Sequence, residues 1–346
     1  MFESSITKYL FGFSIIVILS YASMHMKQSF GSNDEYELIK KYLLNDSPLY
    51  GYNKPKLWIH STYEVNSRNW KSFQSRTTTD LNQPYIHLTI KTIINHCGND
   101  FNICLIDDDT FSKLIPSWDI DLHSVAEPQR TYYRELGMLK LIYYYGGMVV
   151  PNSFLCCKNL KPLYTEGITD NKPFLVEQNN RTVNIQKDNN NKPLYIPNVY
   201  FMGAKKNNET IKELIEYLKA RNMSPHFTSE YTFIGDTAHW CANAAKQGKI
   251  NIVDGMLIGI KTQKGTPILI DDLMGDYYLD LSKNIYGIYI PADEILRRPK
   301  YQWFAIVPSE EVFKTNAIIT KYLKTSIVDS NSEYITSSVQ KSVISI

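Results

Sequence analysis

The side chains best suited to chemistry in this sequence stand in short clusters beside turns. Asp107, Asp108 and Asp109 follow the apolar run Phe101 to Ile106, and Pro151, Asn152 and Ser153 follow Gly146-Gly147. Arg134 and Glu135 lie one helical turn beyond Arg130, Lys158 follows the vicinal pair Cys156-Cys157, and Asp236 precedes His239 in FIGDTAHW. Carboxylates grouped after a buried strand can hold a divalent cation, while Arg or Lys can neutralise a phosphate directly. Asp236 and His239 are candidates for an acid or base acting on a hydroxyl. Each cluster also has an ordinary structural reading. Acids at a helix start complement its dipole, Asp236 is placed to cap a helix, and Gly146-Gly147 can simply end one. No Ser/His/Asp arrangement, H-E-x-x-H helix or phosphate-binding glycine loop is present in the sequence.

The elements that must position these groups read as strand and helix in alternation. KLWIHS, Lys56 to Ser61, is a first strand behind Pro55; Ile86 to His96 keeps helical spacing and stops at Cys97-Gly98. FNICLI, Phe101 to Ile106, is a second strand, and a short helix through Leu114 starts at the three acids. A stronger helix runs from Gln129 to Tyr145 and ends at Gly146-Gly147. The strand Met148 to Cys157 is interrupted by Pro151, which implies an edge, a bulge or an exit from the sheet. Strands are expected again at Phe174 to Gln178, Val199 to Ala204, Ile252 to Ile260, Ile268 to Ile270 and Ile285 to Ile290. Helices are expected at Glu209 to Ala220, Gly235 to Lys246 and Glu310 to Leu323. This order predicts an α/β domain with a mixed, mainly parallel central sheet.

Composition narrows the function. The 346 residues carry 37 Lys plus Arg against 35 Asp plus Glu, which argues against a nucleic-acid partner. With 43% hydrophobic and 21% charged residues the bulk of the chain is globular. Five cysteines without a C-x-x-C pair predict neither a zinc site nor a disulfide framework; they read as buried small hydrophobes with room for one incidental bridge. Vicinal Cys156 and Cys157 point to opposite faces of a strand.

Tyr9 to Met26 carries no formal charge and is bracketed by Lys8 and Lys27. A helix of about 18 residues spans ~27 Å, enough for a thin bilayer core, so a single-pass anchor is expected, with a cleaved signal ending near Ser20 and Ala22 as the alternative. Either places the body in a secretory lumen, the anchor as a type II membrane protein. The sequons at Asn45, Asn180, Asn208 and Asn222 fit that placement. The expected organisation is an anchor at 1–27, a stem at 28–53, an α/β body at 54–325 and a loose polar tail at 326–346.

KLWIHSTYEV with Asn69-Trp70-Lys71-Ser72-Phe73, the FNICLIDDDT segment, and LIYYYGGMVV followed by LCCKNLKPL together resemble the glycosyltransferase sugar-binding family with a DXD motif. The resemblance covers about Lys54 to Ala204. It implies a GT-A fold, a nucleotide-diphosphate sugar as donor, a glycan or glycoprotein acceptor, hexosyltransferase activity and an N-terminal membrane helix. It also implies a divalent metal, Mn or Mg, held by an Asp-x-Asp pair that bridges the diphosphate. The same offset here lands on Pro151, Asn152 and Ser153, so both metal carboxylates are missing. The family's Ser-Asp pair falls on Arg134 and Glu135, and its arginine on Met138. The nucleotide-sugar site implied by this alignment comprises Arg134, Glu135, Gly146, Gly147, Asn152, Ser153 and Lys158. Three substitutes for the lost motif can be named: a metal cluster at Asp107, Asp108 and Asp109; neutralisation by Arg130, Arg134 or Lys158; and acid-base help from Asp236 and His239. A catalytically inactive relative that binds glycans or proteins, and an anchored structural protein, are the competing readings.

Overall fold

The computed structural model describes residues 54–61, 83–127, 129–177, 197–223 and 236–329. The expected anchor at 1–27 and stem at 28–53, the Asn69 to Phe73 segment, and the sequons at Asn45 and Asn180 lie outside these. Among the described residues no helix is long and apolar enough to cross a membrane.

The chain forms β1 (Lys56–His60), α1 (Tyr85–Cys97), β2 (Asn102–Ile106), α2 (Thr110–Leu114) and α3 (Gln129–Tyr145). There follow β3 (Gly147–Val149), β4 (Phe154–Cys156), α4 (Lys161–Gly167), β5 (Phe174–Glu177), β6 (Pro197–Ala204), α5 (Glu209–Met223) and α6 (Asp236–Lys246). The last part holds β7 (Asn251–Val253), α7 (Ile270–Leu273), β8 (Gly287–Tyr289), α8 (Ala292–Arg297), α9 (Gln302–Ile306), α10 (Ser309–Val312) and α11 (Ile318–Asp329).

Among the described residues the central sheet has the order β2-β1-β3-β6-β5-β7. β1 pairs in parallel with β2 and β3, β5 in parallel with β7, and β6 runs antiparallel to both β3 and β5. All strands but β6 therefore point one way, which is the mainly parallel α/β sheet that the alternation predicts. Their C-terminal ends share one edge: His60, Ile106, Val149, Glu177 and Val253.

The strand period of two splits the core cleanly. Leu57, Ile59, Ile103, Leu105, Met148 and Val150 face one layer with α1 and α4, while Trp58, Cys104, Ile106 and Val149 face the other with α2, α3, α5 and α6. A third core gathers Tyr85 and Leu88 of α1, Leu155 of β4, Ile288 of β8 and the helices after Ile270.

Pro151 marks an exit from the sheet. β3 ends at Val149, and the chain resumes as β4 in a separate antiparallel pair with β8. Cys156 there is buried and Cys157 half-buried, in line with opposite faces, and none of the described cysteines is in a disulfide.

Three expected elements differ. The run Ile252 to Ile260 gives only the short β7, because the Asp254 carboxylate accepts from Met256 N–H at 2.8 Å and starts a 3-10 turn over Gly255–Ile258. Gly259, at φ +67°, ends that turn. Ile268 to Ile270 is not a strand: Ile270 opens α7, whose Asp272 carboxylate accepts from Leu269 N–H at 2.8 Å. The final helix is split into α10 and α11 at 313–317, and α11 continues past the boundary expected at 325, with Ser326 buried.

Candidate functional site

At the C-terminal edge, where open α/β sheets form their binding crevices, three side chains from separate elements converge. His60 ends β1, Asp108 follows β2, and Arg134 lies in the first half of α3. Arg134 donates to Asp108 twice, Nε to Oδ1 at 2.9 Å and Nη2 to Oδ2 at 2.7 Å. His60 Nε2 lies 2.9 Å from the same Oδ1. Asp108 is only 8% exposed at its side chain, so the pair is shielded from water. Behind it, the His60 ring stacks on Phe111 of α2, with centroids 5.6 Å apart and planes within 9°.

Burial alone would raise the Asp108 pKa. The hydrogen bonds and charges of His60 and Arg134 outweigh that and hold the carboxyl well below the usual range. Burial likewise opposes the charge on Arg134, but Asp108, with Glu127 at 3.4 Å from Nη1, raises its pKa. The guanidinium spends three donor atoms on these acids and retains further N–H groups.

The neighbouring position connects the site to a second helix. Thr237 Oγ1 donates to Glu135 Oε2 at 2.6 Å, which brings the first turn of α6 to α3. Asp236 therefore starts its helix beside this contact, and His239, half-buried, lies one turn further on. Arg130, a turn before Arg134, spends its Nε on the Val125 carbonyl at 2.8 Å.

Asn152 leaves the sheet at the same edge. Val150 N–H bonds the Trp58 carbonyl at 3.0 Å, so the segment after β3 departs beside His60. The Asn152 carbonyl accepts from Thr89 Oγ1 at 2.5 Å, and its side chain is half-buried. Ser153 is buried and donates to the Ile290 carbonyl at 2.7 Å, which ties it to the strand pair of β4 and β8.

Other expected site residues are held elsewhere. Asp107 Oδ1 accepts from Thr110 N–H at 2.9 Å and from its hydroxyl at 2.5 Å, starting α2, while exposed Asp109 lies 3.0 Å from His123 Nε2. The three consecutive acids thus take separate partners, Thr110 for Asp107, Arg134 and His60 for Asp108, and His123 for Asp109. Among the described residues no group of three or more His, Cys, Asp or Glu is placed to hold a metal. Pro151 offers no donor, Asn152 only a neutral amide, and Ser153 a hydroxyl already engaged, so this segment does not fit a divalent ion.

Gly147 starts β3 with Gly146 just before it, so both stand at the opposite edge, beside Lys56. Their φ values of +70° and +99° end α3, and the Gly146 carbonyl accepts from the Trp58 indole at 3.0 Å. A Cβ on Gly147 would lie 2.1 Å from the Lys56 carbonyl oxygen. Lys158 is also directed there: Asn159 bonds Asp100, just before β2, and Lys158 Nζ donates to the Lys283 carbonyl at 3.1 Å.

No protein family and no curated protein matches the chain. Solved structures similar to it include the PaToxG glycosyltransferase, at 12% identity and a TM-score of 0.33, covering 67% of this chain and 82% of that one. Another is the apo-form glycosyltransferase GlyE of Streptococcus pneumoniae TIGR4, at 9% identity and a TM-score of 0.35, covering 80% of this chain and 64% of GlyE. Likeness at this level leaves the function to be read from the chain's own residues.

His60 belongs to none of the clusters named from the sequence, yet it completes the site. The signal available was its place as the last residue of the first strand, at the edge where α/β sites gather.

Proposed function

We propose that the chain transfers a sugar from a nucleotide-diphosphate sugar to a glycan or glycoprotein acceptor, with arginine in place of the lost metal pair. The observation that carries this reading is the Arg134–Asp108–His60 cluster at the C-terminal edge, next to the departing Asn152 segment. Further support is the ordered resemblance of Lys54 to Ala204 to DXD-type sugar transferases.

In this reading Asp108 and His60 position Arg134, whose remaining N–H groups meet the diphosphate. Arg130 and the N-terminal end of α3 add positive potential at the same edge. A leaving nucleotide diphosphate gains negative charge as the glycosidic bond breaks, so a fixed guanidinium favours departure more than it favours the ground state. The first turn of α6, with Asp236 and His239, is held against Glu135 and is the proposed source of an acid or base for the acceptor hydroxyl. Membrane attachment through the N-terminal helix, with the body in the secretory lumen, completes the proposal for a type II membrane protein.

The test is turnover of a panel of nucleotide sugars by the purified chain, with manganese and with a chelator. Sugar release that persists with the chelator and falls on substitution of Arg134 supports the reading. Absence of binding to every nucleotide diphosphate would end it.

A second reading is favoured by the commitment of Ser153 to the Ile290 carbonyl and by the neutral Pro151-Asn152-Ser153 segment. It is a catalytically inactive glycan- or protein-binding relative. Nucleotide binding without transfer to any acceptor would favour it.

A further inference from the structure

Two of the five cysteines meet in the core. Cys97 is the last residue of α1 and Cys156 the last of β4, both fully buried, with their sulfurs 3.9 Å apart. The other cysteines are placed apart from this pair. Cys104 and Cys241 belong to the core on the opposite face of the sheet, and Cys157 turns to the other side of β4 and is half-buried.

We propose that Cys97 and Cys156 form a disulfide that fastens α1 to β4. The inference goes beyond the transferase reading and does not depend on it. Bond formation by exchange needs an external disulfide of the glutathione class. A thiolate of one cysteine attacks it to give a mixed disulfide and release one thiol. The second cysteine then displaces the other thiol, so the chain gives up two hydrogens and the oxidant gains them.

The surroundings hold Cys156 in place for this. Its backbone N–H donates to Thr92 Oγ1 of α1 at 2.9 Å, and its carbonyl accepts from Ser326 Oγ of α11 at 2.5 Å. With β4 already bound to α1 at Thr92, and through Asn152 to Thr89, the strand cannot slide along the helix. Bond formation requires the sulfurs to close from 3.9 Å to about 2 Å. Burial pushes the Cys156 thiol well up and excludes reagents, so exchange proceeds while the chain folds and the finished bond is sealed. Its functional consequence is to fix the segment Asn152 to Cys156, which borders the candidate site, against α1.

The experiment equilibrates the full chain with a glutathione redox buffer near its unfolding midpoint, returns it to native buffer, and alkylates remaining thiols in denaturant. Peptide mapping by mass spectrometry is expected to find Cys97 joined to Cys156, with Cys104, Cys157 and Cys241 alkylated. The chain reduced in denaturant and refolded under a reductant is expected to melt roughly 4–16 °C lower, and Cys97→Ser to abolish that difference. Alkylation of both Cys97 and Cys156, or a bridge from either to Cys157, would overturn the proposal. Because the mapping uses the unsubstituted chain, it stands whether or not the variant folds.

Discussion

The Arg134 guanidinium grips Asp108 through two parallel hydrogen bonds of 2.9 and 2.7 Å, across a gap in sequence that spans α2 and the chain leading into α3. Fork-to-carboxylate geometry fixes the guanidinium plane as well as its position, which a lysine could not do. Asp108→Asn keeps the shape but removes the charge and is expected to cost about 1–3 kcal/mol in urea unfolding. Arg134→Met should cost more, about 3–5 kcal/mol, because it leaves a shielded carboxylate facing His60 alone. Equal stability of both variants and the parent would show that the pair does not hold β2 to α3.

Acid should release this cluster. The folded Asp108 carboxyl titrates well below its unfolded value of about 3.9, so it binds fewer protons in the folded chain. Its contribution is fully present above about pH 4 and is lost as the pH falls from there through the folded value. Unfolding free energy measured against pH should fall less steeply below pH 4 in Asp108→Asn than in the parent. Parallel curves would contradict this.

Gly147→Ala is expected to destabilise by about 2–4 kcal/mol. The backbone sits at φ +99°, and the added Cβ would meet the Lys56 carbonyl of the adjacent strand, not a side chain able to turn away. Gly248→Ala is the control, since its φ of +71° is similarly strained but nothing lies near its Cβ. Chemical denaturation should rank the two with Gly147→Ala clearly worse.

The contact between Glu135 and Thr237 carries the coupling of α3 to the start of α6. Thr237→Val should cost about 1–2 kcal/mol and leave the Glu135 carboxylate short of a donor. Hydrogen exchange is expected to speed up in the first turn of α6 while the β1–β2 pair stays protected. Uniform acceleration across the fold would point to general destabilisation instead.

Much of this architecture is legible in the sequence. Helix α3 coincides with the expected Gln129 to Tyr145 because its apolar period and the two glycines agree on where it ends. Pro151 announces the departure from the sheet for an equally local reason, the lost N–H. Short apolar runs are where reading fails: Ile252 to Ile260 and Ile268 to Ile270 look like strands, but Asp254 and Asp272 cap helical turns there. The site is less legible than the fold. Arg134 and Asp108 stand out as charged residues beside turns, yet their pairing, and the arrival of His60, depend on β1 and β2 running in parallel register. Gly146, Gly147 and Lys158 lie close to Asn152 in sequence but are carried to the other edge by the length of β3 and β4.

The most direct test of the central claim is calorimetric titration of the chain with UDP, GDP and CDP in excess chelator, repeated with Arg134→Met. Binding of at least one diphosphate without metal is predicted, weakened roughly 10–150-fold in the variant, the range for charged hydrogen bonds of about 1.5–3 kcal/mol. No binding by the parent chain, or equal affinity in the two proteins, would contradict it.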